Sequence, residues 1–310
     1  MPGWVVVGPG DDAAVLEPER NALEVLTTDA LVEGVHFDRR FVPPDAIGYR
    51  ALAVNLSDLA AMGARPRAAL LSLVLPDELP VEALDDLVSG LLAAAAPYRV
   101  AIVGGNITRS TGPLVVDVTA LGSVRRRHVM TRDGARAGDR VYVTGSVGDA
   151  AAGLRILQSL GEAQPSLAPC TARYLRPVPR VRAGLLLARN RVAASCVDLS
   201  DGLADAARQV ASASGVGMII DAGALPIRPA AREWHAQQGS DPVEGALAGG
   251  DDYELLFTVR PAREGRLRAV RRDAGDLPIT RIGVVTRDRR LVLSGADGDR
   301  ALPRGFEHFR

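Results

Sequence analysis

Carboxylates recur in this chain where neither a helix cap nor a solvated surface obviously requires them, and they are the side chains that could do chemistry. Asp11 and Asp12 sit between glycine and alanine after a short apolar run, and Asp29 follows Thr27 and Thr28 at the end of another. Asp58 falls in the last turns of an expected helix, where the macrodipole disfavours a negative charge by about 0.3–1 kcal/mol. Asp198 and Asp201 flank the start of a second expected helix, and Asp251 and Asp252 follow two glycines. Gathering carboxylates is unfavourable unless cations neutralise them. Hard oxygen donors from Asp, Thr and Asn, with no His or Cys among them, favour Mg2+ over zinc.

Most of these residues also have a plainer reading. Ser200 and Asp201 are good helix caps. Asp11 and Asp12 suit a turn. Thr27 and Thr28 are ordinary β-branched strand residues, and Asp58 suits a solvated face as well as a ligand role. It is their recurrence at element ends that points to a metal site. Glycine loops add to it: Gly104-Gly105 precedes Asn106-Ile-Thr-Arg109, and Gly145-Ser-Val-Gly148 joins a strand to a helix, where backbone N–H groups can face an anion. Arg132 can pair a phosphate or lie solvated. Carboxylate-held Mg2+, glycine loops and arginine together suit phosphoryl transfer, which relies on positioning and charge dispersal and needs no dedicated general base.

The elements that must carry these residues alternate between strand-like and helix-like patterns. The segment 23–28 reads as a strand ending at Thr27, Thr28 and Asp29. Asp45 to Met62 reads as one helix closed by Gly63. Strands are expected at 68–75, 101–103 and 114–124, a helix at 81–96, and a polar loop at 104–112. Further on, 140–144, 192–197, 218–220, 255–259 and 282–285 read as strands, and 149–160 and 200–214 as helices. The segment 165–179, with its prolines, reads as an irregular connector. A boundary near residue 137 separates domains 1–137 and 138–310. The segment 56–61 echoes 199–204, as a diverged duplication would.

Composition sets limits on the chemistry. Among 310 residues, Lys plus Arg total 37 and Asp plus Glu total 37, and no lysine occurs. Schiff-base chemistry and a Walker-type lysine loop are therefore excluded. Neutral overall charge argues against a nucleic-acid binder. Cys170 and Cys196 make no disulfide framework or zinc site and read as buried thiols. No apolar run approaches the ~18 residues of a membrane span, and the chain is expected in the cytoplasm.

Read together, these motifs resemble the thiamine-monophosphate kinase family, within the superfamily that includes aminoimidazole ribonucleotide synthetase. The resemblance rests on segments 10–16, 28–37, 51–64, 104–109, 143–149, 198–202, 249–255 and 305–309, in order over nearly the whole chain. It implies a mixed α/β, two-domain aminoimidazole ribonucleotide synthetase-like fold, with an N-terminal ATP/Mg-binding sheet domain that dimerises and a C-terminal α/β domain. It implies ATP-dependent phosphorylation of thiamine monophosphate to thiamine diphosphate with several Mg2+ ions, by a homodimer. The family's metal ligands fall on Asp12, Thr27, Thr28, Asp29, Asp58, Asp198 and Asp201, with Asn106 where many relatives carry Asp. Its nucleotide contacts fall on Gly105, Asn106, Arg132 and Ser200. Its substrate contacts fall on His36, Asp251 (where Glu is common) and Phe306. The alternatives are a nucleotide-binding paralogue without turnover and another ATP-dependent member such as aminoimidazole ribonucleotide synthetase.

Overall fold

The computed structural model describes residues 1–159, 164–296 and 298–303. Phe306 lies outside the described residues. The chain forms two compact units: Met1–Leu59 with Ala64–Arg127, and Ala60–Gly63 with His128–Arg310.

In the first unit, β1 (Val5–Val7) and β2 (Val15–Leu16) pair as a small ribbon. The main sheet holds β3 (Leu23–Val32), β4 (Arg65–Pro76), β5 (Ala101–Ser110) and β6 (Val115–Val124), in the order β3-β6-β4-β5. Burial along β3 alternates strictly from residue 23 to residue 30, because successive strand side chains leave opposite faces. Thr27, Asp29 and Leu31 share one face. Leu26, Thr28 and Ala30 share the other, which is exposed.

Two helices belong to this unit: α1 (Pro44–Ala61) and α2 (Val81–Ala95). Residues 50–57 of α1 are all buried, with the polar Arg50, Asn55 and Ser57 among the apolar side chains. It crosses α2 at two glycines. A Cβ on Gly48 would lie 1.8 Å from the Leu87 carbonyl oxygen, and one on Gly90 1.8 Å from that of Asp45. On its other side Leu59 packs over Gly122 of β6.

Three expectations need correction here. Asp29 lies inside β3 and does not end it. The segment expected as a polar loop from 104 to 112 continues as β5 through Ser110, because β4 supplies a parallel hydrogen-bonding partner as far as Pro76. The segment 165–179 contains a helix, α4, described below.

The second unit carries β7 (Arg140–Thr144), β8 (Ala193–Asp198), β9 (Gly217–Asp221), β10 (Leu255–Val259), β11 (Ile279–Thr286), β12 (Leu291–Gly295) and β13 (Gly298–Ala301). They form one sheet in the order β13-β12-β9-β11-β7-β10-β8. Its helices are α3 (Asp149–Gln158), α4 (Ala168–Leu175), α5 (Val181–Arg189), α6 (Leu203–Ser214), α7 (Pro229–Gln237), α8 (Pro242–Ala248) and α9 (Glu264–Asp273). Proline at the first turns of α4 and α7 is compatible with helix, since those N–H groups lack an intrahelical partner anyway. A core of Val141, Val143, Leu203, Ala207, Val210, Leu256 and Ile282 joins helices to sheet. Each buried Leu, Val or Ile contributes about 1.5–3 kcal/mol.

Candidate functional site

In the first unit, β3 and the end of α1 bring two of the expected ligands together. The Thr27 hydroxyl donates to Asp58 Oδ2. Asp29, two residues on, shares that face and is half-buried. Asp58 is neither a cap nor a freely solvated residue. It sits three residues from the C-terminal end of α1, at the unfavourable pole of the dipole. An oxygen-only set of Thr27, Asp29 and Asp58 matches the donor chemistry of Mg2+.

Thr28 is not part of that group. Its hydroxyl lies on the opposite face, 3.1 Å from Asp117 Oδ1 and 3.0 Å from Thr119 Oγ1. Asn106 is on the edge strand β5 and exposed. In register it aligns with Ser72, Asp117 and Ala30, on the face of Thr28 but three strand spacings from β3, roughly 14 Å. Gly105 has φ of 159°, and a Cβ there would meet the Leu71 carbonyl oxygen at 1.8 Å, so the position requires glycine. Asp12 is exposed in the turn after β1, its N–H accepted by Asp11 Oδ1 at 2.9 Å. His36 Nδ1 accepts the Val32 N–H at 3.0 Å, which fixes the ring beside the end of β3.

In the second unit, Asp198 ends β8 and is buried; Ser200 and Asp201 follow and are half-buried. Neither of the latter caps α6. Its N-cap is Gly202, with φ of 96° and no side-chain cap bond. The capping explanation for these residues therefore fails. Arg132 is exposed, and its carbonyl accepts from Ser214 Oγ at 3.4 Å.

Residues 249–254 pack against the 199–200 loop. Asp251 N–H donates to the Ser200 carbonyl at 2.7 Å and Tyr253 N–H to that of Leu199 at 2.9 Å. Asp252 is fully buried. Its Oδ2 accepts from Gly148 N–H at 2.6 Å and its Oδ1 from Ala150 N–H at 3.2 Å. The glycine loop does present N–H groups to an anion, but the anion is the chain's own. Burial pushes the Asp252 carboxyl up to about 7, against the lowering effect of those two bonds and of Arg173.

Sequence reasoning missed the ionic cluster beneath this loop. Glu254, fully buried, accepts from Thr144 Oγ1 at 2.6 Å, Arg173 Nη2 at 2.5 Å and Arg180 Nε at 2.6 Å. Gly145 has φ of 60°, and a Cβ there would strike Glu254 Oε1. Asp149 is fully buried beside Ser146, with Arg228 Nε 3.2 Å from its Oδ2, and burial raises its carboxyl. The one available signal was the density of acids in 251–254. Their basic partners lie more than seventy residues away. Arg180 and Arg228 also line a cavity of about 530 Å³ with Gly145, Ser146 and Asp276.

Among the described residues, no group of three or more His, Cys, Asp or Glu is close enough to hold a metal. The oxygen donors grouped in the first unit are two carboxylates, Asp29 and Asp58, and the Thr27 hydroxyl. Cys170 and Cys196 are buried, unpaired thiols, the former pushed up to about 12 by burial. Among the described residues no helix is long and apolar enough to cross a membrane.

Comparison with known proteins places this arrangement. The family AIR synthase related protein, N-terminal domain, matches residues 10–124, and AIR synthase related protein, C-terminal domain, matches residues 136–295. The thiamine-monophosphate kinase of Escherichia coli (strain K12) is 41% identical over 313 residues, covering 98% of this chain and 92% of that protein. The chain belongs to the thiamine-monophosphate kinase family. A crystal structure of the Stenotrophomonas maltophilia K279a family member superposes with a TM-score of 0.86 at 40% identity, covering 94% of this chain and 92% of the other. A second thiamine-monophosphate kinase structure, AaThiL complexed with AMPPCP and TMP, gives 0.84 at 35% identity, covering 94% and 89%. The two-domain aminoimidazole ribonucleotide synthetase-like fold expected from the sequence is thus the fold of this family.

Proposed function

We propose that the chain transfers the γ-phosphoryl group of ATP to thiamine monophosphate, giving thiamine diphosphate and ADP. A terminal phosphate oxygen of the acceptor bonds to the γ-phosphorus as the bond to the bridging β–γ oxygen breaks. Both reactants are anionic, so charge neutralisation and in-line placement supply most of the catalysis. The observation that carries this reading is the Thr27–Asp58 pair on the face of Asp29, within a chain that matches the family almost end to end.

In this reading Thr27, Asp29 and Asp58 hold Mg2+ in the first unit, while Thr28, on the opposite face of β3, and Asp12, in the exposed turn after β1, are ligands apart from that group. Asp198 and Asp201 are the metal ligands of the second unit. Bound there, Mg2+ disperses the charge of the transferring phosphoryl group. Gly105, Asn106, Arg132 and Ser200 bind the nucleotide. With no lysine in the chain, cationic help comes from arginine. His36 and Asp251 contact the thiamine side; Phe306, the third position that the family resemblance assigns there, lies outside the described residues.

A homodimer is part of this reading, and the sheet of the first unit supports it. Thr28 and Asn106 occupy its two opposite edge strands, about 14 Å apart, whereas oxygens on one Mg2+ lie only ~2.0–2.1 Å from it. A single chain cannot offer both to one ion. A second copy whose β5 edge docks beside β3 would bring them together and would lie against Leu26 of β3, which is 68% exposed. The protein acts in the cytoplasm, where ATP is available.

Incubation with ATP, Mg2+ and thiamine monophosphate, followed by chromatography, tests the reading. Thiamine diphosphate and stoichiometric ADP are expected, and EDTA should stop their formation. Binding of ATP with no thiamine diphosphate would overturn the kinase assignment in favour of a nucleotide-binding paralogue.

A further inference from the structure

The segment 251–254 is held in a conformation that its residue types do not favour. Asp251 and Tyr253 have φ of 67° and 49°, the left-handed region that costs a non-glycine residue roughly 1–2 kcal/mol. Two such residues flanking a third persist only where the surroundings over-determine them, and such strain clusters at functional positions.

The surroundings here are specific. Between the two strained residues, buried Asp252 spends both carboxylate oxygens on the N-terminal N–H groups at α3. After them, buried Glu254 is gripped by Thr144, Arg173 and Arg180. The backbone of Asp251 and Tyr253 is tied to Ser200 and Leu199. A Cβ at Gly250 would approach the Ser200 carbonyl oxygen to 2.4 Å, so the two loops touch with no side chain between them. What this framework leaves half-exposed is Asp251, and the Tyr253 hydroxyl donates to its Oδ1 at 2.9 Å. Tyr253 is itself only 7% exposed, so its hydroxyl is delivered from a packed position.

We propose that Tyr253 and Asp252 are positioning residues for Asp251: Tyr253 orients its carboxylate through the hydroxyl bond, and Asp252 locks the backbone that presents it. This rests on the reading of Asp251 as a thiamine-side contact. A carboxylate on a single methylene has little reach, so its placement depends on the backbone and on a neighbouring donor. Hydrogen bonds to a charged group are among the stronger ones a side chain can make.

Steady-state kinetics of the full-length enzyme with Tyr253→Phe test the inference, because loss of one oxygen leaves the ring packing intact. The KM for thiamine monophosphate should rise about tenfold, with kcat and the KM for ATP within twofold of the wild type. Asp252→Asn should give the same split or a larger one, because an amide can accept only one of the two N–H groups. Should Asp252→Asn fail to fold, Tyr253→Phe alone decides. An unchanged KM for thiamine monophosphate, or equal rises for both substrates, overturns the inference. Asp251→Ala separates the two ideas. If that variant raises the KM for thiamine monophosphate while Tyr253→Phe does not, only the positioning role falls. If Asp251→Ala leaves it unchanged, the Asp251 contact falls and the positioning role with it.

Discussion

The Thr27 hydroxyl donates to the carboxylate of Asp58, joining the middle of β3 to the last turn of α1 across thirty-one residues of sequence. Replacing Asp58 by alanine removes that bond, a loss of ~0.5–1.5 kcal/mol. It also relieves the carboxylate–dipole conflict, a gain of ~0.3–1 kcal/mol. The two nearly cancel, so the melting temperature of Asp58→Ala should stay within a few degrees of the wild type. Mg2+-dependent ATP binding, followed by calorimetry, should fall at least tenfold. Unaltered binding in a folded variant would remove Asp58 from the metal site.

Glu254 and Arg173 form a pair with almost no solvent access, at 0% and 5% side-chain exposure. Stranding a buried charge typically costs ~3–5 kcal/mol, and because Arg180 and Thr144 still hold Glu254 when Arg173 is removed, the loss should fall at the lower end of that range. Arg173→Met should lose about that much in urea unfolding. Arg40→Met, at the exposed Arg40–Asp38 pair, should leave the unfolding midpoint nearly unchanged, because solvent screens that pair. Equal losses at the two sites would show that burial does not govern the first.

Asp252 has a carboxyl raised to about 7 by burial, while its unfolded value is the ordinary one near 3.8. The native state therefore binds more protons than the unfolded state between those values, and this group's contribution to stability declines as pH rises through that window. Above pH 7 the whole penalty is present; below about 4 none is. Asp252→Asn lacks this dependence. Its unfolding free energy relative to wild type should therefore improve by about 2–3 kcal/mol between pH 5 and pH 8. Chemical denaturation at the two pH values measures the difference, and a constant gap would mean that Asp252 keeps an ordinary titration.

The β3 edge of the first sheet should be paired with the β5 edge of a second copy. Wild-type protein is expected to sediment at twice 32.6 kDa. Leu26→Lys places a charge at that edge and should shift the species towards 32.6 kDa, with loss of kinase turnover. A wild-type monomer that turns over would exclude the shared-edge arrangement.

Much of this architecture is legible in the residues. The apolar run at Asp45–Met62 marks α1 to within a residue at each end, and 255–259 coincides with β10. Asp58 stood out because its place on the helix was unfavourable. β5 was hidden because its outer half, Gly105 to Arg109, is exposed edge strand without apolar alternation. Its strand character comes from β4, a partner no local pattern announces. The Gly145 loop looked like a site for an external anion, because Asp252, which fills it, lies 104 residues away. Glu254 was equally silent, since its partners Arg173 and Arg180 read as ordinary arginines until the chain folds.

The register that pairs Leu23 with Val124 has a consequence for biogenesis. β4, α2 and β5 are consecutive and can assemble from local contacts, whereas β3 must wait for β6, about a hundred residues later. Closing a loop of that length costs about 4 kcal/mol in chain entropy. At translation rates of ~5–20 residues per second, β3 emerges roughly 5–20 s before its partner strand exists. Through that interval a ten-residue strand bearing Leu26 has no sheet to join. Newly made chains should therefore be most vulnerable to aggregation, and most dependent on chaperones, between synthesis of residue 32 and synthesis of residue 124.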